Sequence, residues 1–466
     1  MSAGRETRGA ELADVGRPPL PVPDGERPAI SKAEYDARLA ALEAAASDVD
    51  AVVVYADREH IASMIYLCNF DVRFEEALLV LADGRRTLIV GKEGVGYAPV
   101  SPVDLDVVCA AGLSLMGIDR SGFPTVSQAL VDAGVKPGSR VGVVGWKAVG
   151  ASEWSGRFPA IHASAFIVDT LREIAGGTDR VVDITDIMTN AAHGHRAINS
   201  ADQIAFFEWG TTRASAWVMT GIDAAKPGVR ERELFEAMPW GGEPMPFHAC
   251  VPSGETVQWG LRSSSARRME LGDASVLCIG LWGANCARGG LLAASAADLP
   301  ARSDGYIERL VAPYWLSMVA WYETLAVGVP GGDVYAAVHA SLAGAEFEPA
   351  LNPGHLISYE EWMNSPIRHE SEDLIASGMV IQSDIIPTGI RPGWTTNCED
   401  TVVIADAALR AELAERHPDL WARVQGTRAF IATLGVELSE DVLPISTTAL
   451  HLQPFWLDSK LAMAVR

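Results

Sequence analysis

Residues 200–238, SADQIAFFEWGTTRASAWVMTGIDAAKPGVRERELFEAM, decide the fold. Ser200 is a helix N-cap, and the apolar positions behind it recur at helical spacing as far as Asp223. Pro227-Gly228 is a turn, and RERELFEAM runs on from it as a second helix. Two helices laid down in series are followed by strand-like runs at MPFHACVPSG (245–254), ASVLCIGLWGA (274–284) and ARGGLLAA (287–294). The scheme then repeats: a long helix is expected over Ser303 to Val327, and a turn plus helix in PGGDVYAAVHASL (330–342). Two apolar strands in hairpin arrangement follow, GMVIQSDIIP (378–387) and TTNCEDTVVIAD (395–406). Helices in pairs and strands in pairs, twice over, predict an α+β domain with an internal pseudo-repeat.

Toward the N-terminus the pattern is different. Ser31 caps a helical stretch that feeds the buried run AVVVYA (51–56), and a further helix is expected at Arg58 to Leu67. EALLVLADGRRTLIVG (76–91) reads as a hairpin whose tight turn is marked by Ala82-Asp83-Gly84. Strands at DLDVVCA (104–110) and RVGVVGW (140–146), with a helix over Thr125 to Ala133 between them, complete an α/β pattern ending around Thr189. Residues 1–29 are rich in Pro, Gly and charge without a period and read as a flexible arm, with order beginning near Ile30. The expected organisation is an arm (1–29), a small α/β domain (30–195), an α+β domain (196–435) and a C-terminal extension (436–466) over the site or a subunit boundary.

Bulk properties narrow the function. A chain of 466 residues exceeds what one core supports, roughly 250 to 300 residues. A formal charge of −23, without any Lys/Arg run, repels phosphate backbones and anionic membranes, so neither nucleic acid nor membrane is expected as a partner. With no apolar leader at the start and no run near the roughly 18 apolar residues of a membrane span, a cytoplasmic protein is expected. Six cysteines without a CxxC read as reduced, mostly buried thiols.

Six short motifs lie in one order: KPGVRERELFEAM (226–238), Ser253-Gly254, Gly272-Asp273, Gly354-His355, Gly378 to Val380 and Glu399 to Val402. In order and spacing the chain, over about residues 31–435, resembles the creatinase, aminopeptidase P and prolidase family. The resemblance implies a pita-bread C-terminal domain and a homodimer. It also implies, in the peptidases, two divalent metals held by two aspartates, a histidine and two glutamates. Here the aspartate positions fall on Cys278 and on Gly289 beside Arg288, whereas the others fall on His355, Asp384 and Glu399. Two substrate-handling histidines of the family fall on Leu261 and Trp362.

Two dications require several anionic oxygens, so a metal pair is not expected. The leading expectation is metal-independent hydrolysis of a C–N bond, amide or amidine, in a small polar substrate, as in creatinase. His355, Asp384 and Glu399 would be the catalytic groups, and Arg288, Arg262, Trp362, Trp259 and Trp282 would bind substrate. Other readings stay open: one divalent metal on His355, Asp384 and Glu399, with or without Cys278, in an atypical Xaa-Pro peptidase; or a catalytically silent ligand-binding protein. Arg288 or Arg262 could equally do no more than neutralise the two buried acids. Trp240 and Trp394 belong to the same set of tryptophans, core packing being the plainer account of each. Cys278, in an apolar strand, reads as inert, and Glu360, Glu361, Glu370, Glu372 and Asp373 as a solvated acidic loop.

Overall fold

The computed structural model describes residues 8–299 and 303–465, so the first seven residues of the expected arm lie outside the described residues. The chain divides into two compact units, Ile30–Ala197 and Ile198–Arg466, the latter including the N-terminal stretch up to Ala29.

In the smaller unit, six strands form a mixed sheet in the order Asp106–Cys109, Arg85–Val90, Ala77–Ala82, Ala51–Ala56, Val141–Val144, Val181–Asp183. The expected hairpin is present: Ala82 pairs with Arg85, and both Asp83 (φ 51°) and Gly84 (φ 70°) take the left-handed conformation of a two-residue turn. Ser31 caps the helix Lys32–Ala45 by accepting from the Glu34 amide. The helix expected from Arg58 begins later, at Ala62–Cys68, because Asp57 accepts from the Glu59 and His60 amides and holds a turn there. The helix Ala165–Ala175 and the edge strand Val181–Asp183 were not expected.

In the larger unit the helix Ala201–Ala224 is capped by Ser200, which accepts from the Gln203 amide. Its Ala214, Trp217, Val218 and Ile222 pack on Leu277, Ile279, Leu281 and Ala284 of an antiparallel hairpin, Ala274–Leu281 with Ala284–Leu291, that is buried along its whole length. The fit is close at Gly221, where a Cβ would come 2.4 Å from Leu277 Cδ1 and displace that side chain. The sheet runs His355–Leu356, Val380–Ser383, Asn397–Ile404, Ala284–Leu291, Ala274–Leu281, with Val442–Pro444 also paired to Asn397–Ile404. The two late strands are antiparallel as expected, Val380 opposite Val403. The run 245–254 is not a strand: only Cys250 and Ser253 bridge, Cys250 to Cys278 and Ser263, and Ser253 to Ser275. The expected helix from Ser303 opens with a π-helical turn, Ile307–Val311, before Ala312–Thr324.

Both chain ends correct the expectation. Regular structure starts well before Ile30, since Ala10–Asp14 pairs antiparallel with Leu461–Val465. The extension is part of the core: Val442–Pro444 joins the central sheet, and Phe455 and Trp456 lie against Leu291 and are buried. No helix among the described residues is long and apolar enough to cross a membrane. All six cysteines are unpaired.

Candidate functional site

The strand register assembles the site. His355 lies opposite Gln382, and Ser383, the last residue of that strand, lies opposite Asp400. Asp384 therefore emerges at a strand end beside Glu399. One ligand atom each from His355, Glu361, Asp384 and Glu399 falls within 4.8 Å of all the others. His355 Nε2 is 3.1 Å from Glu361 Oε1 and 3.9 Å from Asp384 Oδ2. His355, Asp384 and Glu399 are buried, whereas the Glu361 side chain keeps 28% of its surface open to solvent.

Two amides orient Glu399: Asn285 Nδ2 donates to Oε1 at 2.9 Å, and Gln382 Nε2 donates to the same oxygen at 3.3 Å. Burial, followed by repulsion from Asp384 and Glu361, pushes the Glu399 carboxyl well above its ordinary range, against the pull of those amides. Burial likewise pushes Asp384 up to about 7; His355 opposes the rise and Glu361 adds to it. For His355 burial disfavours the imidazolium, but Glu361 and Asp384 outweigh it and the net shift is upward.

Of the residues expected from sequence, the fold brings together His355, Asp384, Glu399 and Trp362, whose ring stacks on His355 at 4.2 Å and 21°. Arg288 is a correction. Side chains alternate along a strand, so Glu399 and Asp400 face opposite sides of the sheet, and Arg288 lies on the Asp400 side. Its Nη2 donates to both Asp400 oxygens at 2.9 and 2.8 Å and to the Thr448 carbonyl, its Nε to the His451 carbonyl, and its Nη1 to the carbonyls of Ala287 and Glu399. With so many partners, it neither clamps a substrate nor faces the Asp384 and Glu399 carboxylates.

Arg262 and Trp259 form an exposed pair, the guanidinium 5.7 Å from a ring that is 68% exposed. Trp282 packs edge-on against Tyr359, and Trp394 against Tyr306. Trp240 is exposed, its Nε1 donating to the Glu243 carbonyl. Cys278 is buried, its Sγ bonded to Asn285 Oδ1 at 3.3 Å, and burial pushes the thiol well up.

Glu361 is the second correction. The acidic loop was expected to be solvated, yet this residue belongs to the centre. Its signal in the sequence was adjacency to Trp362, which stands where the family pattern places a proton-handling histidine. Asn285 and Gln382 carried no such signal.

No family model matches the chain, and no curated protein is similar to it by sequence. Solved structures are similar in fold. The prolidase from Pyrococcus horikoshii superposes with a TM-score of 0.58 at 16% identity, over 80% of this chain and 95% of that one. The X-Pro aminopeptidase from Thermotoga maritima gives 0.59 at 14%, over 79% and 94%. The dipeptidase PepE from Mycobacterium ulcerans gives 0.55 at 20%, over 81% and 94%. The chain thus has the pita-bread fold of the prolidases, Xaa-Pro dipeptidases and aminopeptidase P-like proteins.

The family pattern implies a metal pair, and this donor set does not fit one. Gly289 offers no donor, and a Cβ there would lie 2.6 Å from the Asn397 amide nitrogen. A single cation does fit. Asp384 Oδ1 is buried without a hydrogen-bond partner among the described residues, in a cluster of one nitrogen and three carboxylates.

Proposed function

We propose that the chain hydrolyses a C–N bond, amide or amidine, in a small polar substrate at the His355 centre. One observation carries the reading: the convergence of a histidine and three carboxylates within 4.8 Å, with one carboxylate open to solvent. The fold neighbours support it, since their names describe cleavage of X-Pro bonds.

In this reading Glu361 takes a proton from water as the water oxygen bonds to the scissile carbon. The C–N bond then breaks, and the proton passes to the departing nitrogen. His355 Nε2 lies 3.1 Å from the Glu361 carboxylate, and Trp362 covers the imidazole face and offers the substrate an apolar wall. Asn285 and Gln382 fix Glu399. A divalent cation held by His355, Glu361, Asp384 and Glu399 would supply Lewis-acid polarisation of the scissile group. From sequence alone the centre was expected to work without metal, with one cation on His355, Asp384 and Glu399 as the alternative; Glu361 adds a fourth donor to that set.

The test is a panel of Xaa-Pro dipeptides, small amides and amidines, followed by release of the amine. Once a substrate is found, His355→Ala and Glu361→Gln should each lower kcat by about 100-fold or more. Unchanged turnover in either variant overturns the reading, and a panel member that binds and is never cleaved favours a silent binding protein instead.

A further inference from the structure

Three carboxylates and an imidazole face one another in a largely buried space, and neither guanidinium expected to offset them does so: Arg288 lies on the other side of the sheet against Asp400, and Arg262 lies over the exposed ring of Trp259. Asp384, only 5% exposed, has an oxygen without a hydrogen-bond partner among the described residues. His355 Nε2, fully buried, lies 3.1 Å from Glu361 but without the alignment of a hydrogen bond. Burial of such charge is costly unless it is paired or coordinates a metal. We propose that His355, Glu361, Asp384 and Glu399 hold a single divalent first-row transition cation, with Glu361 supplying the anionic oxygen that the two missing aspartates no longer provide.

The chemistry of the donors selects the occupant. One imidazole nitrogen with carboxylate oxygens suits manganese, iron, cobalt or zinc, whereas calcium and magnesium favour all-oxygen sites. Charge limits the number. Three carboxylates leave one dication close to neutral and cannot offset two. Position limits it as well: Cys278 is bonded to Asn285, and at Gly289 the backbone of Thr396 and Asn397 closes the space a side chain would need. Asn285 and Gln382 orient Glu399 from behind, as hydrogen-bonded amides do for metal-ligating carboxylates.

The inference concerns the centre of the proposed hydrolase and rests on that reading only for what the cation does. Its test needs no substrate. The purified chain is stripped with a chelator, reloaded separately with Mn²⁺, Co²⁺ and Zn²⁺, and examined by elemental analysis, titration calorimetry and thermal melting. The cobalt form is also examined by its visible absorption. One equivalent per chain, a raised Tm and the absorption of a nitrogen- and oxygen-ligated ion are expected. Glu361→Gln and Asp384→Asn should each weaken binding at least about tenfold, while Glu372→Gln on the exposed part of the loop should not. Circular dichroism and the metal-free Tm of each variant establish that it folds.

No bound ion at millimolar metal, two equivalents per chain, or wild-type affinity in a folded Glu361→Gln variant would each overturn the proposal. Full turnover by the wild-type chain with no ion bound at millimolar metal overturns the cation and leaves the hydrolase reading standing. One bound equivalent without turnover of any panel member supports the cation and removes the hydrolase reading.

Discussion

The face on which a residue points decided most of the site. Glu399 and Asp400 are neighbours, yet one enters the cluster with His355 and the other anchors Arg288. His451 shows what burial does without a partner. Neither ring nitrogen has a hydrogen-bond partner among the described residues, and burial, then the nearby Arg288, lowers its pKa to about 3 from the ordinary 6.5. The unfolded chain therefore binds a proton that the folded chain refuses between those values. The stability this group contributes is complete above pH 6.5 and is lost as pH falls toward 3, on the order of 3 kcal/mol by pH 4. His451→Leu should flatten that limb, as seen by denaturant unfolding from pH 7 to 4. An unchanged acid slope would show that other groups govern it. Three of the four groups of the centre were recognisable as candidates because His355, Asp384 and Glu399 stand at motif positions. Arg288 was misassigned because sequence spacing does not say which side of a strand faces the cleft.

Elements were legible where local signals were strong. The Ser31 and Ser200 caps, the Asp83-Gly84 turn and the paired late strands were all read in place, since each rests on interactions within a few residues. The run 245–254 was read as a strand from its composition but makes only isolated bridges, to the hairpin edge and to Ser263. The strand pair Ala284–Leu291 and Asn397–Ile404 approaches so closely at Gly289 that a Cβ would meet the Asn397 amide nitrogen at 2.6 Å. Gly289→Asp is therefore expected to fail as a restoration of a second metal position. It should part the strands, lower Tm by several degrees, and leave the bound metal at one equivalent or less. Elemental analysis with a thermal melt checks this, and two equivalents at unchanged Tm would show that the strand gives way freely.

The whole molecule is tied together at its ends. Val442–Pro444 extends the sheet, Leu461–Val465 pairs with Ala10–Asp14, and the Thr448 and His451 carbonyls complete the shell around Arg288. Removing residues 436–466 would leave that buried guanidinium short of acceptors and Asp400 without Ser446 and Thr448. Breaking a buried charge network costs about 3–5 kcal/mol, and lost strand pairing adds to it, against a typical margin of about 5–15 kcal/mol. The truncated chain is expected to be insoluble or readily proteolysed. A soluble, cooperatively melting product would show that the extension is dispensable. The homodimer implied by the resemblance is a separate expectation, checked by light scattering against twice the 49.7 kDa chain mass.

The sequence alone determined the α/β unit, the helix pair and strand pair of the larger unit, and three of the four groups of the centre. Such features are carried by periodicity, capping and motif spacing, which are local. Only the tertiary structure decided that Glu361 leaves an acidic loop to join His355, that Arg288 turns away to Asp400, and that Ala10–Asp14 pairs with Leu461–Val465. These are contacts between residues distant in the chain. They follow from strand register and from which face of the sheet is left uncovered, and nothing in the neighbouring residues encodes either.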